Sequence, residues 1–253
     1  MDSAREKLKR ANLHLGSLNR VLRRFAAHDP YRIGFRVIRE EETRYVTAYV
    51  DVWNPLPASI PLIVGDICYN LRLALDYLFW RCWLDADPAF IGSVSFPVVK
   101  TPELFDATVR PEISGLPGAQ RTLIEQAQPY KRGNSLLAIL DEVRHIDKQR
   151  LVSVATATVQ MEDVRLIGYQ TAPEYDIVHF TVPPEIQIEK GAELERFPLN
   201  SLEVTGDGHE AENLRFDLLF TLPEAAAGLG VLTTLRDIRD EVLWVTGQFE
   251  GPS

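Results

Sequence analysis

The sequence predicts an α+β protein: a helical bundle of long N-terminal, two central and C-terminal helices, with an N-terminal β-hairpin and an antiparallel sheet. Three observations predict it. Apolar residues recur at spacings of three and four near both ends and through the middle. They alternate with polar residues over 31–53, and short strand-like runs fill much of 152–221. Asp29-Pro30, Asn54-Pro55-Leu56-Pro57 and Asp85–Pro88 punctuate these blocks. With 253 residues, 45% of them hydrophobic, and neither a repeat nor a low-complexity linker, one domain over 1–253 is expected.

The first helix, over 3–28, opens on Ser3-Ala4-Arg5-Glu6, the spacing of a capping box. Its stripe is Leu8, Ala11, Leu15, Leu18, Leu22 and Phe25, and Asp29-Pro30 ends it. The hairpin spans 31–53. Tyr31, Ile33, Phe35 and Val37 alternate with polar residues or glycine, as do Val46, Ala48, Val50 and Val52, around the polar turn Glu40-Glu41-Glu42-Thr43. A helical core follows over 61–151. It holds a long apolar helix from about Pro61 to Leu84, short helices near 102–109 and 117–127, and a helix from Ser135 to about Leu151.

The sheet occupies 152–221, as strands Val152–Gln160, Val164–Gln170, Tyr175–Val182, Glu185–Glu189, Leu194–Leu199 and Leu214–Thr221. Their short connections make it antiparallel. The closing helix, 223–249, carries the stripe Val231, Leu235, Ile238, Val242, Val245 and Phe249 behind a second capping pattern, Thr221-Leu222-Pro223-Glu224. The matching narrow seams of the two terminal helices suit packing on each other, on the central helices, or between copies in a homo-oligomer.

A net charge of −9 argues against a nucleic-acid surface spread over the whole chain. The first 28 residues are the exception, with Arg5, Lys7, Lys9, Arg10, Arg20, Arg23 and Arg24 against Asp2 and Glu6. A solvated helix surface is the favoured reading of this stretch, and nucleic acid is not expected elsewhere on the chain. Cys68 and Cys82 lie too far apart along one helix to bridge each other. A reduced, cytoplasmic protein is the expectation, with no apolar leader and no run near the roughly 20 residues of a membrane span.

The central helices carry the chemistry. At about 100° per residue, the first has an apolar face of Ile67, Cys68, Leu71, Ala74, Leu75, Leu78, Phe79 and Cys82. Its other face holds Asp66, Tyr69, Asn70, Arg72, Leu73, Asp76, Tyr77 and Trp80. Arg72 and Asp76 stand four apart and can pair, as can Asp66 and Asn70. In the second helix the stripe Leu136, Ile139, Leu140, Val143 and Ile146, extended one turn, lands on Asp147 and Arg150, while Asp141, His145 and Lys148 point elsewhere. Arg72, Asp76, Asp147 and Arg150 are therefore expected to meet as one neutral cluster at the crossing, with Asp66, Asn70, Tyr77 and Lys148 around it. A buried cluster of this kind either fixes the register of two helices or forms a site with shifted pKa values. In the first case Asp147→Ala should lower the melting temperature.

Gly65-Asp66, Asn70-Leu71-Arg72, Ala74-Leu75-Asp76, Phe96-Pro97 and Asp147-Lys148 with Arg150 resemble a family of uncharacterised bacterial proteins, frequent in actinobacteria. The resemblance spans roughly 60–152. That family's pattern reads G-D-x-x-x-N-L-R-x-A-L-D-H and D-K-H-R; Tyr77 and Gln149 stand here in place of the histidines. The pattern also satisfies the R-x4-6-H spacing of HEPN ribonucleases, which are helical, metal-independent and usually dimeric, but Tyr77 breaks it here. Arg23-Arg24-Phe25-Ala26-Ala27-His28 fits the same loose spacing.

No other catalytic signature is present. His14, His28, His145, His179 and His209 are scattered, with no Cys-x-x-Cys or His-x-x-x-His, so no metal site is expected. There is no P-loop, dinucleotide fingerprint or G-x-S-x-G elbow, so no cofactor is expected. Both cysteines lie on an apolar face, where burial raises a thiol pKa. Two functions remain: a non-enzymatic binding or interaction protein whose cluster organises the helices or touches a small polar ligand, and a HEPN-like ribonuclease or related enzyme using Arg72 with Asp76, Asn70 or Tyr77.

Overall fold

The computed structural model describes residues 2–28, 30–40, 43–147, 152, 154–161, 191, 193–198 and 214–249. It is helix-rich, and its backbone divides into two compact units where the sequence predicts one domain. The first comprises residues 1–21, 58–154 and 220–253; the second comprises 22–57 and 155–219.

In the first unit, helix α1 (Asp2–Ala26) buries Leu8, Ala11, Leu15 and Leu18 of the predicted stripe, together with Ala4, while Leu22 and Phe25 at its far end are only half-buried. It starts one residue before the expected cap serine, and Glu6 pairs with Lys9 at 2.6 Å instead. Helix α2 (Ser59–Ala86) is the spine. Of its 28 residues, 13 are buried, including the whole predicted apolar face. Short helical segments follow: α3 (Pro102–Leu104), a π-helical turn (Phe105–Val109), α4 (Arg110–Glu112), α5 (Gly118–Gln126) and α6 (Pro129–Arg132). Helix α7 (Leu136–Asp147) packs on α2, and α8 (Val231–Gln248) packs on both.

The sequence places the start of the last helix at Pro223; the structure starts it at Val231. Between them lie a 3-10 turn (Glu224–Ala226) and Gly228 at φ 79°, a left-handed conformation that interrupts helical continuity and suits glycine. Downstream the predicted stripe holds through Val231, Leu235, Ile238, Val242 and Val245, all fully buried, while Phe249 lies just past the helix and is half-buried.

In the second unit, β1 (Tyr31–Glu40) and β2 (Thr43–Trp53) form the expected hairpin, antiparallel from Tyr31 opposite Trp53 to Glu40 opposite Thr43. Strand β4 (Glu193–Pro198) lies antiparallel on the other side of β2. Strands β3 (Val154–Met161) and β5 (Leu214–Phe220) form a separate two-stranded sheet. One continuous sheet over 152–221 is therefore not supported among the described residues. Alternation predicts that a segment is a strand but not which strand it joins. The predicted strands Val164–Gln170, Tyr175–Val182 and Glu185–Glu189 lie outside the described residues. Gly34 allows a close approach in this unit: a Cβ there would lie 2.5 Å from the Tyr49 ring, which packs across β1 at that position.

Candidate functional site

Helices α2 and α7 run in opposite directions. Gly65 meets Asp147 of α7, whereas Arg72, two turns further along α2, meets Asp141. The charged cluster forms around Arg72, whose side chain is 4% exposed. Its Nη2 donates to Ser95 Oγ at 2.8 Å and to the Phe96 carbonyl oxygen. Its Nε lies 3.3 Å from Asp76 Oδ1 and its Nη1 3.3 Å from Asp141 Oδ1. Asp76 Oδ1 also accepts from Ser95 Oγ and from the Phe96 N–H, each at 2.9 Å. Asp76 Oδ2 is 4.0 Å from Arg144 Nη2.

Two arginines and two aspartates thus close a formally neutral group. Burial pulls the Arg72 pKa down, while Asp76 and Asp141 push it back up; a guanidinium stays charged under these conditions. Exposure rises outward, from Asp76 at 13% to Asp141 at 40%. Arg72 Nε and Nη1 are buried and off the hydrogen-bonding line, so their contacts with the carboxylates are ionic rather than directional.

The cluster also anchors a loop. Asp76 and Arg72 hold Ser95 and Phe96 through backbone and side-chain atoms. One and three residues beyond Phe96, fully buried Gln128 donates to Pro97 O at 3.0 Å and accepts from Val99 N–H at 2.9 Å. Phe96, 1% exposed, packs edge-on to Phe79 with ring centroids 6.0 Å apart. Segment 95–99 is therefore held at both ends against the helices.

The expected cluster is half correct. Arg72 and Asp76 meet as predicted, but Asp147 is not their partner, and Arg150 and Lys148 lie outside the described residues. The α7 partners are Asp141, which helical phase pointed elsewhere, and Arg144. The physical reason is the crossing geometry. Both Asp141…Arg144 and Asp147…Arg150 have the spacing Asp-x-x-Arg, six residues apart, and periodicity along one helix cannot say which turn lies opposite Arg72.

Asp147 instead packs on Gly65, where a Cβ would lie 2.8 Å from its carboxyl carbon. Burial and the nearby Asp66 raise its carboxyl pKa. Asn70 is buried and donates to the Asp66 carbonyl oxygen at 2.7 Å, one helical turn back. Tyr77 is partly exposed, with Lys7 of α1 6.0 Å from its ring centroid. Sequence reasoning missed Asp141, Arg144, Ser95 and Gln128. The repeated Asp-x-x-Arg was a usable signal for the first two; hydrogen bonds to an irregular loop leave none.

Elsewhere, Cys68 and Cys82 are free and buried. Burial pushes both thiols up to about 12, assisted by Asp147 at Cys68 and by Asp85 at Cys82, which removes them as nucleophiles at neutral pH. Arg132 forks onto buried Glu241, with Nε at 2.7 Å and Nη2 at 3.2 Å, and stacks on Trp244 at 3.6 Å. An open cleft of about 500 Å³ lies near Lys100, Tyr130, Asn134, Ser135 and Ala225, and no residue of the Arg72 cluster lines it. Among the described residues no group of three or more His, Cys, Asp or Glu converges to hold a metal ion. No described helix is long and apolar enough to cross a membrane. The chain matches no family model, no curated protein and no solved structure.

Proposed function

We propose that this chain is a non-enzymatic binding or interaction protein, and that its charged cluster is a structural lock. The supporting observation is the engagement of Arg72. Among the described residues its guanidinium contacts are all internal, to Asp76, Asp141, Ser95 and the Phe96 carbonyl, and its side chain is nearly enclosed. An arginine that grips a substrate phosphate or carboxylate must present its fork to a cleft. A small polar ligand is better accommodated in the open cleft beside Lys100 and Asn134.

The two buried, free thiols suit a reducing compartment, and a cytoplasmic location is proposed on that basis. Kinship with the bacterial family that shares the Asn70-Leu71-Arg72 and Asp76 motif is proposed with it. In its favour, the resembling stretches pair in space: Gly65 with Asp147, and Arg72 and Asp76 with Phe96.

Incubation with structured and single-stranded RNAs, with and without divalent ions, tests the reading. Intact RNA and a lowered melting temperature for Asp76→Ala are expected. RNA cleavage that is lost in a still-folded Arg72→Ala variant would overturn it in favour of a HEPN-like ribonuclease.

A further inference from the structure

The buried face of α2 is accounted for by α7, α8 and the loop at 95–99. Its opposite face is largely open to solvent; among the described residues Lys7 of α1 approaches it, 6.0 Å from the Tyr77 ring centroid. Leu62 is 53% exposed, Tyr69 50%, Tyr77 38% and Trp80 41%. With Leu73 and Leu84, both partly exposed, they form a single stripe about 80° wide at 100° per residue. Scattered exposed apolar residues are ordinary on a protein surface; a contiguous aromatic stripe on one long helix marks an interaction face. Tyrosine and tryptophan are also the residues enriched at protein interfaces.

The stripe is self-complementary. Leu62, Asp66, Tyr69, Leu73, Tyr77, Trp80 and Leu84 follow one another at spacings of four, three, four, four, three and four, which read the same in both directions from Leu73. Two copies laid antiparallel about Leu73 place Leu62 opposite Leu84, Tyr69 opposite Tyr77 and Leu73 opposite itself. Charge obeys the same symmetry. Asp66 is exposed near one end of the stripe, and Arg81, its side chain 52% exposed, flanks Trp80 at the other. Antiparallel pairing brings Asp66 to Arg81 of the partner subunit at both ends. Arg81 already meets Asp85 at 2.7 Å, and five donors leave it capacity for a second carboxylate. Parallel pairing would set like charge beside like charge.

We propose that the outer face of α2 is the interface of a homodimer in which the two helices pair antiparallel about Leu73. The contact is isologous, each pair occurring twice, and from Leu62 to Leu84 it runs about 33 Å at the helical rise. This interface is independent of the Arg72 cluster and uses a central helix, not the seams of the terminal helices.

Sedimentation equilibrium of the full chain over a micromolar concentration series tests it. The expected mass is that of two chains. Leu73→Glu, which sets two carboxylates together on the symmetry axis, should give a monomer with an unchanged far-ultraviolet spectrum. Asp66→Arg and Arg81→Glu should each raise the dimer Kd about tenfold, and the double variant should restore it. A monomeric wild type would overturn the proposal, including one that binds lipid vesicles through this face. So would a dimer indifferent to Leu73→Glu, or charge reversals that fail to rescue each other.

Discussion

At the scale of single residues, burial decides which charges matter. Asp76, 13% exposed, and Asp141, 40% exposed, lie at the same 3.3 Å from the Arg72 guanidinium. Water screens the second pair far more than the first. Asp141→Ala should therefore destabilise by about 1 kcal/mol or less, the usual range for exposed pairs, as read by urea unfolding. Asp147 behaves in the opposite sense. Its carboxyl pKa is raised by burial and by Asp66. A raised folded-state pKa means that the folded form prefers the proton. The contribution is complete below the unfolded carboxylate pKa and is lost as pH rises through the folded one. Asp147→Asn should therefore raise the urea midpoint at neutral pH and converge on the wild type as pH falls. Helical phase alone makes Asp147 a salt-bridge partner whose loss is harmful. Phase located Arg72 and Asp76 because four residues on one helix fix their own geometry; it failed at Asp147 because a partner across helices depends on the crossing.

At the scale of elements, the α2–α7 crossing depends on a glycine. Gly65 sits inside α2, where alanine is intrinsically favoured by about 1 kcal/mol, yet its missing Cβ is the space the Asp147 carboxyl fills. Gly65→Ala should destabilise the wild type, and it should stabilise the Asp147→Ala background by about 1 kcal/mol. A double-mutant cycle checks this sign change. The link between α6 and α8 depends on fork geometry. Arg132→Lys keeps the charge but loses the paired bonds to Glu241 and the stacking on Trp244, so thermal melting should register a loss of about 1–2 kcal/mol. Long amphipathic elements were legible, since α1, α2, α7 and the hairpin stand within a few residues of where periodicity puts them. The loop at 95–99 was not. Its order comes from Arg72, Asp76 and Gln128, each more than 18 residues away in sequence.

At the scale of the whole molecule, the cluster belongs to one compact unit and the β1–β2–β4 sheet to the other. Hydrogen exchange resolves their stabilities separately. Amides of α2, α7 and α8 should share one high protection level and lose it together when the cluster is broken, while those of β1 and β2 keep theirs. The division into units was not legible because nothing local in 31–53 says that it pairs with 193–198. The central claim is that Arg72 is a structural keystone, and its unfolding free energy in urea tests that most directly. Arg72→Ala leaves Asp76 without its buried cation and the Phe96 carbonyl without its donor. The account predicts a loss of about 3–5 kcal/mol. Stability equal to or above that of the wild type would contradict it and mark Arg72 as a residue held in place for a ligand.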